Sequence, residues 1–166
     1  MYYLELEPVF NNEGLTQPLD FSIDMSECGY NGGFPFTQPV HITGLLKNSV
    51  GVVSINATAE FTLNLTCDRC AVNFSRTFSV PVEHIMVTQV NNDGNDEFIV
   101  IDSFHYDVEP LINEDIFLYM PNKVLCREDC LGICHRCGKD LNEGPCDCGR
   151  EYDPRWDVLQ QLQVDE

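Results

Sequence analysis

Positive charge is scarce in this chain. Nine Lys and Arg face 27 Asp and Glu, for a formal net charge of −18 over 166 residues. Such a body repels nucleic acid at long range, so binding to naked nucleic acid through its general surface is not expected. No stretch approaches the ~20 apolar residues of a membrane span, which excludes a helical membrane anchor within it. The opening MYYLELEPVF has no basic n-region and carries Glu5 and Glu7, so no secretion signal is expected there. A soluble, cytoplasmic protein is the expectation. The nucleotide-binding and hydrolytic signatures GxGxxG, GxxxxGK(S/T), GxSxG and HExxH are all missing. No enzymatic activity and no small-molecule substrate are therefore expected.

The charge that is present is uneven. Residues 1–68 hold eight acids against one basic residue, Lys47. Residues 83–115 hold nine acids and no Lys or Arg. Residues 123–155 are near neutral, with six basic residues against seven acids. A basic protein partner is the natural complement of the acidic part. Arg127, Arg136, Lys139, Arg150 and Arg155 give the one region where contact with RNA phosphate is electrostatically plausible. The competing role for these cations is to offset thiolate charge.

That near-neutral region is rich in cysteine. The stretch CREDCLGICHRCGKDLNEGPCDC, residues 126–148, holds six of the nine cysteines, spaced C-x3-C-x3-C-x2-C-x8-C-x-C. A reducing compartment and an odd cysteine count favour metal over disulfides. Zinc takes four ligands at tetrahedral corners, and six cysteines do not divide into fours. Including the upstream CDRC pair gives eight thiols in four pairs: Cys67/Cys70, Cys126/Cys130, Cys134/Cys137 and Cys146/Cys148. Two zinc sites of four cysteines each are expected.

Loop closure favours Cys134, Cys137, Cys146 and Cys148 as one site, because only eight residues separate the pairs. Cys67, Cys70, Cys126 and Cys130 then form the other. The rival partition joins Cys126, Cys130, Cys134 and Cys137, leaving Cys67/Cys70 with Cys146/Cys148. His135 lies between cysteines that already fill the corners and is not counted as a ligand. Cys28 stands alone and reads as a free thiol. Sites closed by four cysteines are structural, whereas catalytic zinc keeps an open position. A redox role for CDRC fits less well, since a thioredoxin-type CxxC opens a helix and this one lies between two strand patterns.

The expected fold is α+β. Residues 2–9 alternate apolar and acidic like a strand. Residues 10–39 carry Asn, Gly, Pro and scattered aromatics, and CGYNGGFPFTQP reads as a loop with turns, which Phe34 and Phe36 pin to the core. Residues 40–90 are strand-like, with a turn at Lys47-Asn48-Ser49 and Phe74, Phe78, Val80 and Val82 on one side. An antiparallel meander follows, either as a sheet or curled into an open barrel. NNDGNDE is a turn and FIVID a short strand. Val108, Leu111, Ile112, Ile116 and Met120 mark a helix over about 107–120, with Asp107 as N-cap and Pro121 as its end. Asp153-Pro154 opens a short terminal helix with a stripe at Trp156, Leu159 and Leu162. The domain expectation is a β body, 1–125, and a cysteine-rich zinc lobe with a terminal helix, 126–166. His41, His84 and His105 fall in strand-like segments and read as structural.

These features together resemble one family. CDRC followed by Phe74 and Phe78, a downstream acidic stretch, NEDIFLYMP, then C-x3-C-LGIC-x2-CG-x-DLN-x3-C-x-C and DPRW-x2-L-x2-L is similar to the YceD family over roughly residues 40–160. Its members are soluble bacterial or organellar proteins linked to accumulation of large-subunit ribosomal RNA. Their genes often neighbour that of a small basic large-subunit ribosomal protein. The resemblance implies a role in accumulation of the large ribosomal subunit and assigns no enzymatic activity. Taken with the charge distribution, the expectation is a non-enzymatic factor acting through a basic ribosomal protein or a pre-large-subunit particle, with rRNA contact through the cations of the zinc lobe. Members that keep the CxRC pair but lack the ribbon imply that the ribbon is separable. Two other classes stay open: a zinc-ribbon nucleic-acid-binding module and a thiol redox or zinc-sensing protein.

Overall fold

Three runs of strict alternation build the central sheet. In residues 52–66 the odd positions from Val53 to Leu65 are all buried, while Asn56, Glu60, Asn64 and Thr66 are exposed. Apolar side chains on one face of a pleated strand require a covered sheet. The computed structural model describes residues 1–89 and 98–148. Its elements in chain order are β1 (Tyr3–Glu5), α1 (Glu7–Asn11), β2 (Thr16–Ile23), β3 (Val40–Ser49), β4 (Val52–Thr66), β5 (Asn73–Val87), β6 (Phe98–Val100), β7 (His105–Asp107) and α2 (Glu109–Tyr119).

Strands β2-β3-β4-β5-β6 form one five-stranded sheet in sequence order, and β1 pairs with β7 separately. All neighbours are antiparallel except β5 and β6, which run parallel from Ile85↔Phe98 to Val87↔Val100. Among the described residues the sheet is therefore mixed and open, with β2 and β6 at its edges, rather than an open barrel. The α+β class holds. Among the described residues no helix is long and apolar enough to cross a membrane.

One face of the sheet carries the core. Ile42, Leu46, Ile55, Leu63, Val82 and Met86 pack with Ile112 and Ile116 of α2 and with Leu6 and Val9 near the N-terminus. Each such side chain contributes about 1.5–3 kcal/mol of burial. The other face is polar and largely uncharged. Thr62 bonds Thr77 across β4–β5 at 3.0 Å, and the Ser75 hydroxyl donates to Asn64 Oδ1 at 2.6 Å.

Helix α2 is close to expectation, but Val108 is its N-cap, without a side-chain cap bond. Asp107 lies one residue earlier, where its Oδ1 accepts the Glu109 amide at 3.2 Å. Pro121 ends the helix as expected by forcing Met120 to an extended ψ of 135°. His84 on β5 ties α2 to the sheet by a 2.7 Å contact with Asp115.

Four further expectations need correction. Only Tyr3–Glu5 of residues 2–9 is strand; Pro8, with its fixed φ, lies in the first turn of the short helix α1 instead. Within residues 10–39 lies the strand β2, buried through Leu19, Phe21 and Ile23; Pro18 is tolerated because β2 is an edge. The turn falls at Val50-Gly51, both with positive φ (54° and 78°), and Lys47, Asn48 and Ser49 remain in β3. Phe36 is 2% exposed and anchors its loop, whereas Phe34 is 69% exposed and does not. The loop is also held by the Tyr30 hydroxyl, which donates to the Pro121 carbonyl. The NNDGNDE turn and the terminal helix with Trp156, Leu159 and Leu162 lie outside the described residues.

Candidate metal centres

The CDRC pair forms the connection between the two longest strands, β4 and β5. The Cys67 amide donates to the Val72 carbonyl at 2.9 Å, and the Ala71 amide returns to the Cys67 carbonyl at 2.9 Å. The same pattern recurs in the lobe. There the Cys134 amide donates to the Lys139 carbonyl at 2.8 Å, and the Gly138 amide returns to the Cys134 carbonyl at 2.9 Å. Each turn points its inner amides at the first sulfur of the pair. Burial pushes the Cys67 thiol up, but the amides of Cys126, Cys70 and Arg69 outweigh it and bring the pKa down to about 6. The amides of Cys137 and Arg136, with the Cys146 thiol, bring Cys134 down to about 6 as well. Two turns of one design thus present one thiolate each.

The structure brings the eight cysteines of the four pairs into two groups. Cys67, Cys70, Cys126 and Cys130 form one; Cys134, Cys137, Cys146 and Cys148 form the other. Within each group all sulfurs lie within 4.8 Å of one another. This grouping follows loop closure and not the rival partition. His135 is exposed and belongs to neither group, and Cys28 packs against the main core as a free thiol.

The donor sets suit a tetrahedral thiophilic ion. Sulfurs ~2.3 Å from a tetrahedral ion lie about 3.8 Å from one another. Cys67 and Cys130 are 3.8 Å apart, and Cys70 and Cys126 are 3.7 Å apart. Disulfides need about 2.05 Å, and every one of the nine cysteines is a free thiol. Four thiols this close also resist ionising together. Burial and the neighbouring thiols of Cys70, Cys67 and Cys130 push Cys126 up to about 12. The thiol of Cys137, then burial, push Cys148 up to about 11. A divalent cation meets that electrostatic demand. Two groups of four cysteines, each able to hold zinc, are therefore present.

The groups differ in burial. Cys67, Cys70 and Cys130 are 2%, 7% and 1% exposed and form a small core with Phe74, Leu125 and Cys126. In the other group Cys137 is exposed, and Cys146 and Cys148 are half-buried.

Residues of the CDRC turn also clasp the lobe. The Asp68 amide donates to the Val124 carbonyl at 2.8 Å, and Asp68 Oδ2 accepts the Val124 amide at 2.7 Å. Arg69 Nη1 donates to the Cys130 carbonyl at 2.7 Å, and the Arg69 carbonyl accepts the Ile133 amide at 3.1 Å. Gly132 sits where a Cβ would lie 2.9 Å from that carbonyl. Asn142, between the two pairs of the outer group, reaches the inner one: its Nδ2 lies 3.5 Å from Cys130 Sγ. Sequence reasoning noted Gly132 only as a glycine following a cysteine pair, and gave no role to Asp68 or Asn142. Asn142 in an eight-residue loop carries only a turn signal.

Most of the nearby cations have local work. Arg76 Nη2 donates to the Leu125 carbonyl at 2.8 Å, and Arg127 Nη2 donates to Asn142 Oδ1 at 2.7 Å. Lys139 Nζ donates to the Pro145 carbonyl at 2.8 Å. Arg150 and Arg155 lie outside the described residues.

Residues 55–163 match the family described as Large ribosomal RNA subunit accumulation protein YceD. The Large ribosomal RNA subunit accumulation protein YCED homolog 1, chloroplastic, of Arabidopsis thaliana is 24% identical over 168 residues, covering 80% of this chain and 52% of that protein. An uncharacterized protein of Mycobacterium tuberculosis is 36% identical over 56 residues, covering 34% of this chain and 27% of its own. The chain thus spans about half the length of the plant relative and about a quarter of the mycobacterial one. No solved structure matches the chain significantly.

Proposed function

The chain belongs to the YceD family, and from that premise we propose that it is a non-enzymatic zinc protein of the cytoplasm that supports accumulation of the large ribosomal subunit by holding a basic ribosomal protein or a pre-large-subunit particle. The family match points to the process. The observation that carries the chemistry is the pair of four-cysteine groups, since thiolates filling all four corners leave no open position for a substrate. Zinc here fastens the lobe to the β4–β5 turn.

The charge supports a protein partner over naked RNA. The acids of residues 1–68 and 83–115 have few basic neighbours, whereas Arg69, Arg76, Arg127 and Lys139 are engaged with carbonyls or an amide of the lobe itself. Helix α2 adds apolar surface for a partner: Leu118 is 79% exposed and Tyr119 54%, close to Glu114. Contact with rRNA through the lobe is the secondary part of this reading.

A quantitative pull-down from lysate at moderate salt tests it. Enrichment of basic large-subunit ribosomal proteins or pre-large-subunit particles over small-subunit proteins is expected. Recovery of neither removes the reading's main support. Salt-dependent binding to naked RNA without either would favour the nucleic-acid-binding alternative.

A further inference from the structure

Asn142 belongs to the loop of one four-cysteine group, yet its side chain lies against a sulfur of the other. All of its polar side-chain capacity is directed. Oδ1 accepts the Leu131 amide at 2.8 Å and Arg127 Nη2 at 2.7 Å. Two donors on one atom fix the amide's orientation, so Nδ2 is the face turned to Cys130 Sγ at 3.5 Å and to Asp140 Oδ1 at 2.6 Å. The backbone holds the residue in the same place. The Asn142 amide donates to Asp140 Oδ1 at 2.8 Å, and the Leu141 amide donates to the Gly132 carbonyl at 2.8 Å. Ile133 and Asp140 pair as an antiparallel bridge.

We propose that Asn142 couples the two metal centres, as a positioning residue whose amide supports the buried centre only while the outer centre holds its loop in place. The proposal rests on the zinc reading above. An N–H donor to a metal-bound thiolate draws charge from the sulfur, which favours the ligated form over the protonated one. The loop that delivers this donor runs directly into Cys146 and Cys148, with only Glu143, Gly144 and Pro145 between. Releasing those two sulfurs frees the loop. Exposure sets the order: the outer centre, with Cys137 exposed, exchanges first, and the loss is then felt at Cys130, which is 1% exposed. The two centres are in series.

The test uses the full chain loaded with zinc, and in parallel with cobalt(II), whose sulfur-to-metal absorption reports thiolate donor strength. Wild type is expected to hold two metal ions and to release them to a chelator in two phases. Asn142→Asp keeps the acceptor oxygens and loses the donor; Asn142→Ala loses both. Each is expected to retain two ions, to speed the slow phase about tenfold or more, and to shift the cobalt–sulfur band to lower energy. Cys146→Ser is expected to hold one ion and to release it at that faster rate. A slow phase and band unchanged in both Asn142 variants and in Cys146→Ser overturn the coupling while leaving two zinc sites standing. Absence of bound metal in the wild type overturns the zinc reading itself, and the coupling with it.

Discussion

Ala71 and Gly138 occupy equivalent positions. Each directly follows the second cysteine of a CxxC turn, each donates its amide to the carbonyl of the first cysteine, and each has a left-handed φ, 57° at Ala71 and 73° at Gly138. The turn demands that conformation, and only glycine adopts it without steric cost. A Cβ at Gly138 would meet nothing within 4 Å, so the cost of adding one is purely backbone. Gly138→Ala is expected to destabilise the protein by about 1 kcal/mol, or roughly 2–4 °C in Tm for a chain of this size. Ala71→Gly is expected to stabilise it by about 0.5 kcal/mol, because glycine's looser unfolded state offsets part of the gain. Thermal melts of the metal-loaded variants check both signs.

Gly132 combines the same backbone demand with a collision. Its φ is 80°, and an added Cβ would lie 2.9 Å from the Arg69 carbonyl, a backbone atom held by the CDRC turn. The next residue, Ile133, donates its amide to that same carbonyl. Gly132→Ala therefore lifts the lobe from the turn. A loss of about 2–3 kcal/mol is expected, well beyond that at Gly138, from strain and steric overlap together. Hydrogen exchange at the Ile133 amide is the specific readout: its protection should fall far more than that of the strand amides in β4.

The sequence revealed those elements whose determinants are local: the long strands, α2 and the outer cysteine group. The inner group, whose pairs lie 56 or more residues apart, followed by elimination once the outer one was set. Val53 to Leu65 alternate without a break, and eight residues between pairs make the outer group the cheaper loop to close. Failures came where a distant partner decides. Lys47-Asn48-Ser49 carries turn chemistry, but Asn48 is recruited into β3 because α1 needs its amide, so the bend falls on Val50-Gly51. Pro18 and Asp20 make β2 look like loop until its place at the sheet's edge is known. Parallel pairing of β6 has no local signal in FIVID. Asn142 shows its purpose only once the two cysteine groups are set side by side.

Asn48 is 1% exposed and caps the C-terminus of α1 from a different strand. Its Nδ2 lies 2.7 Å from the Val9 carbonyl, 3.1 Å from that of Phe10 and 3.2 Å from that of Asn12. Its Oδ1 accepts the Gly51 amide at 3.1 Å, so one side chain also sets the β3–β4 turn. Helix ends leave carbonyls without intrahelical partners, and buried ones are costly. Asn48→Ala is expected to destabilise by about 2–4 kcal/mol. Asn48→Leu, close in volume, is expected to recover little, because the loss is of hydrogen bonds and not of packing. Denaturant unfolding of both variants separates the two contributions. If Asn48→Leu restores most of the stability, the capping account fails.

Metal binding is expected to release protons, and the thiol titrations give the count a floor. At pH 7 Cys126 and Cys148, pushed up to about 12 and about 11, hold their protons in the metal-free chain. Cys70 and Cys146 are also raised above the usual thiol value. At Cys70 burial and the neighbouring thiols of Cys67 and Cys130 outweigh the Val72 amide, the largest single influence, which lowers it; at Cys146 the Cys134 thiol is the leading cause. Cys67 and Cys134, brought down to about 6, are already mostly thiolate. Ligation needs thiolates, so each zinc is expected to displace at least two protons at pH 7. The sign follows: affinity rises with pH across the neutral range and falls as acid returns protons to the sulfurs. Below about pH 6 even the two most acidic thiols compete with the metal, and the affinity falls more steeply. Titration calorimetry in buffers of differing ionisation enthalpy measures the protons directly. An affinity indifferent to pH between 6 and 8 would show that the thiols are not the ligands; fewer than two protons per metal would show that the metal-free thiols are already more ionised than this.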